Sequence, residues 1–592
     1  MFKRAISLLI VTAVLVGIVG CTPASKDLYS TFTELAYRDP ETGEFVDPDE
    51  FAARMSSRTE SSGSDDAYNS SYSSGSSSAN SGETVDERKT VIINVKDYGA
   101  VGDGVTDDGN AIANALTAFM KGGNGSKLIF EPKRYYIKDN DGRFDRALVF
   151  RNMTESEVIG NGATIIAGGS LGFMTISDCK SFSVSGFNFD RKIRAHFVGT
   201  VTNINTQDGY CDIVSDRDFG FYDEYTPSKD IFAFAEKERG VGNREYIFMS
   251  KLALIDKATL TYRFYPNKSG ALGTWSHFCD LKEGQRIIVP TPYVGHMLSD
   301  SFSIGGNSDL YCKDINAWNN AEFVFHINGN PGKITLENVN IVPAPDETVC
   351  FSSWRDGFHC KTNSSAIIWK NCKAVGLGDD IINISSNMMY VSNKYADDEI
   401  ACFWSEAHGG SYGNVEVGAK VTIFDCNTGK LIAKTAVKRV VSKEDNRYQL
   451  ANKIPNLKTG ENICFYIDSH AAPDSRLINC DFEGTLRFKG AGGVAENCRL
   501  KLYAMSLRPE SRVEGPIPHD ITFSNCDFAG TWKAGLIVTC DSPVPMWKEG
   551  CYRLENIRFE NCSNLTKSLF SNELNFNEKS VDYITVTPAL AD

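Results

Sequence analysis

One short phrase recurs along the chain: an aliphatic residue, any residue, a large apolar residue, any residue, then asparagine. It stands at Ile334-x-Leu336-x-Asn338, Ile367-x-Trp369-x-Asn371, Ile521-x-Phe523-x-Asn525 and Ile557-x-Phe559-x-Asn561. Apolar residues at a period of two share one face of a strand. An asparagine directly after them suits a turn, because it tolerates unusual backbone angles and bonds neighbouring backbone. Such a strand cannot bury its face alone, but stacked copies can. The phrase therefore predicts an all-β solenoid, a parallel β-helix, with its asparagines in a ladder. An ordinary antiparallel sandwich would give asparagine no reason to recur after the same apolar pair.

Cysteine follows asparagine at Cys372, Cys480, Cys498, Cys526 and Cys562. A cysteine fixed at one place in a repeat acts as a small buried hydrophobe. No Cys-x-x-Cys pair or His-x-x-x-His spacing supports a zinc site. No cofactor and no metal is called for.

The chain before the repeats is of another kind. Lys3 and Arg4 precede an apolar run from Ala5 to Val19, and Ile18-Val19-Gly20-Cys21 resembles a bacterial lipobox. This predicts an export signal over 1–20, lipidation of Cys21, and a lipid-anchored protein of the bacterial cell envelope, periplasmic or facing outward. Between Ser56 and Gly82, 13 of 27 residues are serine. That stretch cannot bury enough apolar surface to order itself, so 21–90 reads as a flexible tether.

A strand-like Val91–Val95, a glycine-rich loop over Asp97–Gly104 and a helical pattern with Ile112, Ala115, Leu116 and Phe119 on one face open the folded part. Thr106, Asp107 and Asp108 stand where a helix is capped. The first coils should occupy 91–191. Two regions lack the repeated phrase and alternate apolar with polar residues: 192–299 and 391–468. Both read as β-rich, barrel-like insertions, leaving central coils over 300–390 and C-terminal coils over 469–592. The net charge of −14, from 61 basic and 75 acidic residues, argues against nucleic acid as a partner.

Three acids stand about one coil apart: Asp356 in Trp354-Arg355-Asp356-Gly357-Phe358-His359, and Asp379 and Asp380 in Gly378-Asp379-Asp380. If a coil is a little over twenty residues, Asp356 lies beside Asp379 on the next coil. Adjacent residues of a regular strand face opposite ways, so Asp379 and Asp380 both reach one cleft only at a turn or bulge. Clustered carboxylates repel, and one then keeps its proton to higher pH. An acid and a base in one site are what glycoside hydrolysis needs. Trp354 could stack on a sugar or could belong to the core. A calcium site or a solvated turn is the plain alternative.

The opening Asp97–Gly104 with Asp107-Asp108 resembles the start of pectin-lyase-like, right-handed parallel β-helix proteins. Asp356-Gly357-Phe358-His359 with Gly378-Asp379-Asp380-Ile381-Ile382-Asn383 resembles glycoside hydrolase family 110, the α-1,3-galactosidases, which also carry β-barrel insertions. The resemblance implies an inverting hydrolase of α-galactosides, with Asp379 as general acid and Asp356 and Asp380 holding the water. It places His359 and Asn383 against an oligosaccharide or polysaccharide substrate, with Trp354 beside them as the aromatic that could stack on a sugar. The Ser-Asn-His segment usual in that family's first coils is absent; Phe144-Asp145-Arg146-Ala147-Leu148 stands there. His408-Gly409 and Arg487-Phe488-Lys489 resemble motifs of the polygalacturonases of family 28, although Ala407 replaces the first glycine. There Arg487 and Lys489 would bind a uronate carboxylate, or they could be solvated surface residues. A polysaccharide lyase and a glycan-binding surface protein without turnover remain open alternatives.

Overall fold

The computed structural model describes residues 90–592 apart from 139–144, 170, 228–230, 237–244, 269–272, 293–299, 405–414, 508–513, 538–554, 571–583, 589 and 591–592. The lipobox, Cys21 and the serine-rich tether lie outside the described residues.

The main body is a parallel β-helix. Its strands join one 25-stranded sheet in which nearly every pairing is parallel. One row stacks Gly172–Ser177, Phe302–Gly305, Phe325–Asn328, Phe358–Lys361 and Asp380–Asn387 coil upon coil. A second row carries the repeated phrase. Ile334 lies on Ile367 and Leu336 on Trp369, while Ile521 lies on Ile557 and Phe523 on Phe559. Like side chains thus form columns inside the coil. The rings of Phe302 and Phe325 stack at 4.2 Å, and those of Phe523 and Phe559 at 4.9 Å.

The asparagine of the phrase turns the corner. Asn338, Asn371, Asn479, Asn497, Asn525 and Asn561 all have φ between 52° and 55°, the left-handed region that asparagine tolerates. Their backbone N–H groups reach the next coil, as Asn371 does to the Ile478 carbonyl at 2.9 Å. Directly after them, the thiols of Cys372, Cys498 and Cys526 are buried and donate to carbonyls of the preceding coil, for instance Cys498 Sγ to Leu477 O at 3.4 Å. The cysteines among the described residues are free thiols.

A second asparagine ladder lies inside another corner. Asn307 Nδ2 donates to Asn330 Oδ1 at 3.0 Å, and Asn330 Nδ2 to Asn363 Oδ1 at 2.8 Å. Each amide also donates to a carbonyl of the coil before it. These buried amides are satisfied from coil to coil, which fixes the stacking register.

The N-terminal end is closed by the helix Gly109–Gly122, which buries Ile112, Ala115, Leu116 and Phe119. Its N-cap, Asp108, makes no side-chain capping bond. The carboxylate instead accepts the N–H groups of Val101 at 2.6 Å and Gly102 at 3.1 Å, pinning the glycine-rich loop.

Two antiparallel units interrupt the coils. Strands from His196–Asn205 to Arg286–Pro290 form a seven-stranded sheet, and the pairing of Ile247–Asp256 with Thr261–Pro266 closes six of them into a ring. Strands from Met389–Ala396 to Ile463–Ile467 form a closed six-stranded barrel. Each unit has its own apolar core. The first enters just before the coils that carry the acids, and the second just after.

Candidate active site

Phe358 pairs with Ile382, an offset of one residue more than the Asp356-to-Asp379 spacing. Asp356 is therefore in register with Asp380, not with Asp379 as the spacing suggested. The Gly357 N–H donates to the Asp380 carbonyl at 2.8 Å, and the Asp380 N–H points at Asp356 Oδ1 at 3.3 Å. Asp379 precedes the strand, in the bend that leads into Asp380–Asn387.

A bulge then brings Asp380 and Asn383 to one side. Asp380 pairs with Thr485 and Ile382 with Leu486, so Ile381 is the extra residue. Ile381 and Ile382 are both buried in the apolar core. The side on which Asp380 emerges is thereby shifted to that of Asn383, which simple alternation forbids. Two glycines make room. A Cβ on Gly484 would stand 3.0 Å from Ile381 Cγ1, and one on Gly378 would stand 2.6 Å from the Trp354 carbonyl oxygen.

One oxygen from each of Asp356, Asp379 and Asp380 lies within 4.8 Å of the others. They open on a cavity of about 450 Å³, also lined by Glu322, Phe323, His326, Arg355, Lys361 and Glu514 with His359, Asn383 and Arg487. Asp356 and Asp380 are almost wholly buried, whereas the Asp379 side chain is 26% exposed. Burial first, and the neighbouring Asp379 charge second, push the Asp356 carboxyl well above the usual carboxylate range. His359 Nδ1 meets Asp356 Oδ2 at 2.6 Å. Burial, aided by Lys361 and His326, holds the His359 imidazole down at about 3, so the ring is neutral. Arg487 Nε lies 2.7 Å from Asp380 Oδ2.

Below the acids lies a buried ion group. Lys361 Nζ is 2.7 Å from Glu514 Oε1, and Lys489 Nζ bonds Glu514 Oε2. Burial alone would raise Glu514, but these two ammoniums reverse that and hold it well below the ordinary range. The first insertion backs two of the segments that line the cavity. Phe232 lies beneath the Arg355 guanidinium, which is 4.0 Å from Asp379 Oδ2 and 3.7 Å from Glu322 Oε2. Tyr246 Oη donates to the Gly378 carbonyl at 3.3 Å.

Of the residues singled out by sequence, Asp356, Asp379, Asp380, His359, Asn383 and Arg487 meet in this cavity. Two do not line it. Trp354 is buried in the core of the first insertion, stacked on Phe234, with its indole N–H given to the Ala195 carbonyl at 3.1 Å. Its apolar area gains more from that core than from a wet cavity wall. Lys489 is fully buried on Glu514, the partner its charge requires. His408 and Cys21 lie outside the described residues. The aromatic surface in the cavity is Phe323, half-buried and stacked on His359 at 4.2 Å.

The three acids are close enough to share a cation. Arg487 on Asp380 and His359 on Asp356 already satisfy two of the three carboxylates, which makes them a poorer metal set. What the arrangement offers chemically is one half-buried carboxyl beside two buried ones, with a proton to share among them.

Residues 92–183 match the family described as rhamnogalacturonase A/epimerase, pectate lyase-like. The chain is 22% identical over 433 residues to α-1,3-galactosidase B of Bacteroides thetaiotaomicron, covering 67% of each protein. It is 36% identical over 89 residues to plasmin and fibronectin-binding protein A of Streptococcus pneumoniae, covering 15% of this chain and 12% of that one. The family 28 exopolygalacturonase of Yersinia enterocolitica superposes with a TM-score of 0.37 at 11% identity, over 82% of this chain and 68% of that chain. The chain is thus a parallel β-helix with antiparallel insertions, similar in its opening coils to the pectate lyase-like family and distantly similar to an α-1,3-galactosidase.

Proposed function

We propose that the protein is a glycoside hydrolase of neutral α-linked galactosides, working by inversion from the cell envelope. The observation that carries this reading is the meeting of Asp356, Asp379 and Asp380 within 4.8 Å in one cavity. The proton held there belongs to the cluster rather than to a single residue. Asp379 is the half-buried member, the one the cavity can reach, and it delivers the proton to the glycosidic oxygen as the bond from the anomeric carbon breaks. Arg487 favours the ionised form of Asp380. Asp380 and Asp356 orient a water that attacks the anomeric carbon from the opposite face and loses its proton to them. The closest approach of the acids is below the ~6.5–9.5 Å of a two-carboxylate inverting pair. The water therefore sits over the Asp356–Asp380 pair rather than between a base and the acid.

Charge favours a neutral sugar over a uronide. Each cation lining the cavity already faces an acid: Arg487 faces Asp380, Lys361 faces Glu514, and Arg355 faces Glu322 and Asp379. A uronate carboxylate would enter a site where acids outnumber bases. The similarity to the Bacteroides α-1,3-galactosidase supports the same choice. The Ile18–Cys21 leader would anchor the protein to the membrane through Cys21. Cys21→Ala should then leave the membrane fraction.

The test is hydrolysis of aryl α-galactosides and Gal-α-1,3-Gal against polygalacturonate, with the product anomer followed by proton NMR. Release of β-galactose, with kcat reduced about 10²- to 10⁴-fold in Asp379→Asn, is expected. Initial α-galactose would refute inversion. Parental activity in Asp379→Asn, or cleavage confined to polygalacturonate, would refute the reading as a whole.

A further inference from the structure

A second cavity, of about 810 Å³, lies where the closed barrel meets the C-terminal coils. It is larger than the catalytic cavity and within the ~300–1,000 Å³ typical of ligand clefts. The barrel contributes Lys420, Lys434 and Thr435, and the coils contribute Asp474, Ala491 and His519. Asp468 joins the two. It follows the last barrel strand, Ile463–Ile467, and opens the short turn Asp468–His470 that returns the chain to the coils.

Asp468 is not a satisfied structural carboxylate. Oδ2 accepts from Thr422 Oγ1 at 2.7 Å, but Oδ1 is shut from solvent with no hydrogen-bond partner. Burial pushes its carboxyl up to about 6, against the lowering pull of His519, Lys434 and Lys420. A buried acceptor left without a donor is destabilising, and a ligand donating to it relieves that cost. Asp468 is itself a lining residue of this cavity, so a turn of its carboxyl would present that oxygen to a ligand.

The lining identifies the chemistry. Lys420 and Lys434 share the lining with Asp468, Asp474 and Asp520, and Asp520 is already bonded to the His519 ring at 2.7 Å, so no single sign of charge dominates the walls. That disfavours both polyanions and strong cations. Among the described residues, the set of acids near enough to share a metal ion is the catalytic trio, not these three. The hydroxyls of Thr435 and Ser469 add groups that both donate and accept. Donors alternating with acceptors around an unmet carboxylate suit a neutral ligand dense in hydroxyl groups.

We infer that the seam between barrel and coils is a second, non-catalytic site for a neutral oligosaccharide, with a hydroxyl of the sugar donating to Asp468. It rests on the hydrolase reading only in the choice of probe. A site there would hold a glycan chain on the protein while its ends turn over elsewhere.

The test measures binding without turnover, so its failure is distinct from a failure of the hydrolase reading. Full-length protein carrying Asp379→Asn is titrated with neutral galacto-oligosaccharides, and hydrogen exchange locates the protected segments. Protection of 420–435 and 468–474 is expected. Asp468→Asn and the plugging variant Ala491→Trp should each weaken that binding by about tenfold or more. Lys434→Ala, at an exposed position, should weaken it in the same direction without threatening the fold. Protection confined to the catalytic coils, no protection at all, or undiminished protection at the seam in folded Ala491→Trp would overturn the inference.

Discussion

Arg487 places its Nε 2.7 Å from Asp380 Oδ2, although the whole barrel insertion separates the two in sequence. The coil register makes the pair, because Asn383 stacks directly on Arg487. Removing the guanidinium would leave a buried carboxylate uncompensated. Arg487→Ala should therefore lose about 3 kcal/mol of stability in urea unfolding and most of the turnover. Arg487→Lys should recover only part of each, because an ammonium lacks the planar fork.

Asp356 gives the protein a pH signature. Its folded-state carboxyl is held above the ordinary 3.8, so the folded chain keeps a proton that the unfolded chain has already released. The stability this confers is complete below pH 3.8 and is lost as pH rises through the raised value. Urea midpoints measured across that range should fall with pH in the parent more steeply than in Asp356→Asn. Equal slopes would show that Asp356 titrates like an ordinary carboxyl.

Glu514 has the opposite sign. The ammoniums of Lys361 and Lys489 hold it well below 4.5, so its contribution is present above that pH and lost on acidification. Lys489→Met should cost about 3–5 kcal/mol at neutral pH, since it strands part of a buried charge. Adding Glu514→Gln to Lys489→Met should restore part of that loss, which a double-mutant cycle reads directly.

Trp354 and Phe323 separate packing from sugar contact. Trp354→Ala should lose about 3–5 kcal/mol of stability by emptying the core of the first insertion. Trp354→Phe should leave KM for an α-galactoside near the parental value. Phe323→Leu should raise KM by up to about tenfold at little cost in stability. The reverse pattern would make Trp354 the sugar platform after all.

The coil architecture was legible because it depends on a local rule repeated many times. Asn338, Asn371, Asn525 and Asn561 each take the left-handed corner that asparagine accommodates. The carboxylate trio was legible for the same reason, as a spacing of one coil. Its register was not. The Ile381 bulge depends on Gly484, a residue beyond the barrel, and no local pattern announces it. Trp354 was misplaced because its environment is made by Phe232 and Phe234 of another unit. Glu322, Arg355, Lys361 and Glu514 lack a spacing that marks them. His326 had one: Phe325-His326 and Phe358-His359 each stand the same distance before Asn330 and Asn363 of the buried ladder.

The interruption of the coils by the barrel has a consequence for synthesis. Asp356, Asp379 and Asp380 leave the ribosome before Arg487, Lys489 and Glu514 exist. A nascent chain that has wound only its central coils carries a knot of mutually repelling acids with its main counterion still unmade. The chain of the barrel must be made before the next coil can bring that counterion in. Premature termination beyond the barrel would therefore leave a solenoid whose last exposed turn resists docking, and Asp380 meets its counterion only when the coils carrying Arg487 have settled.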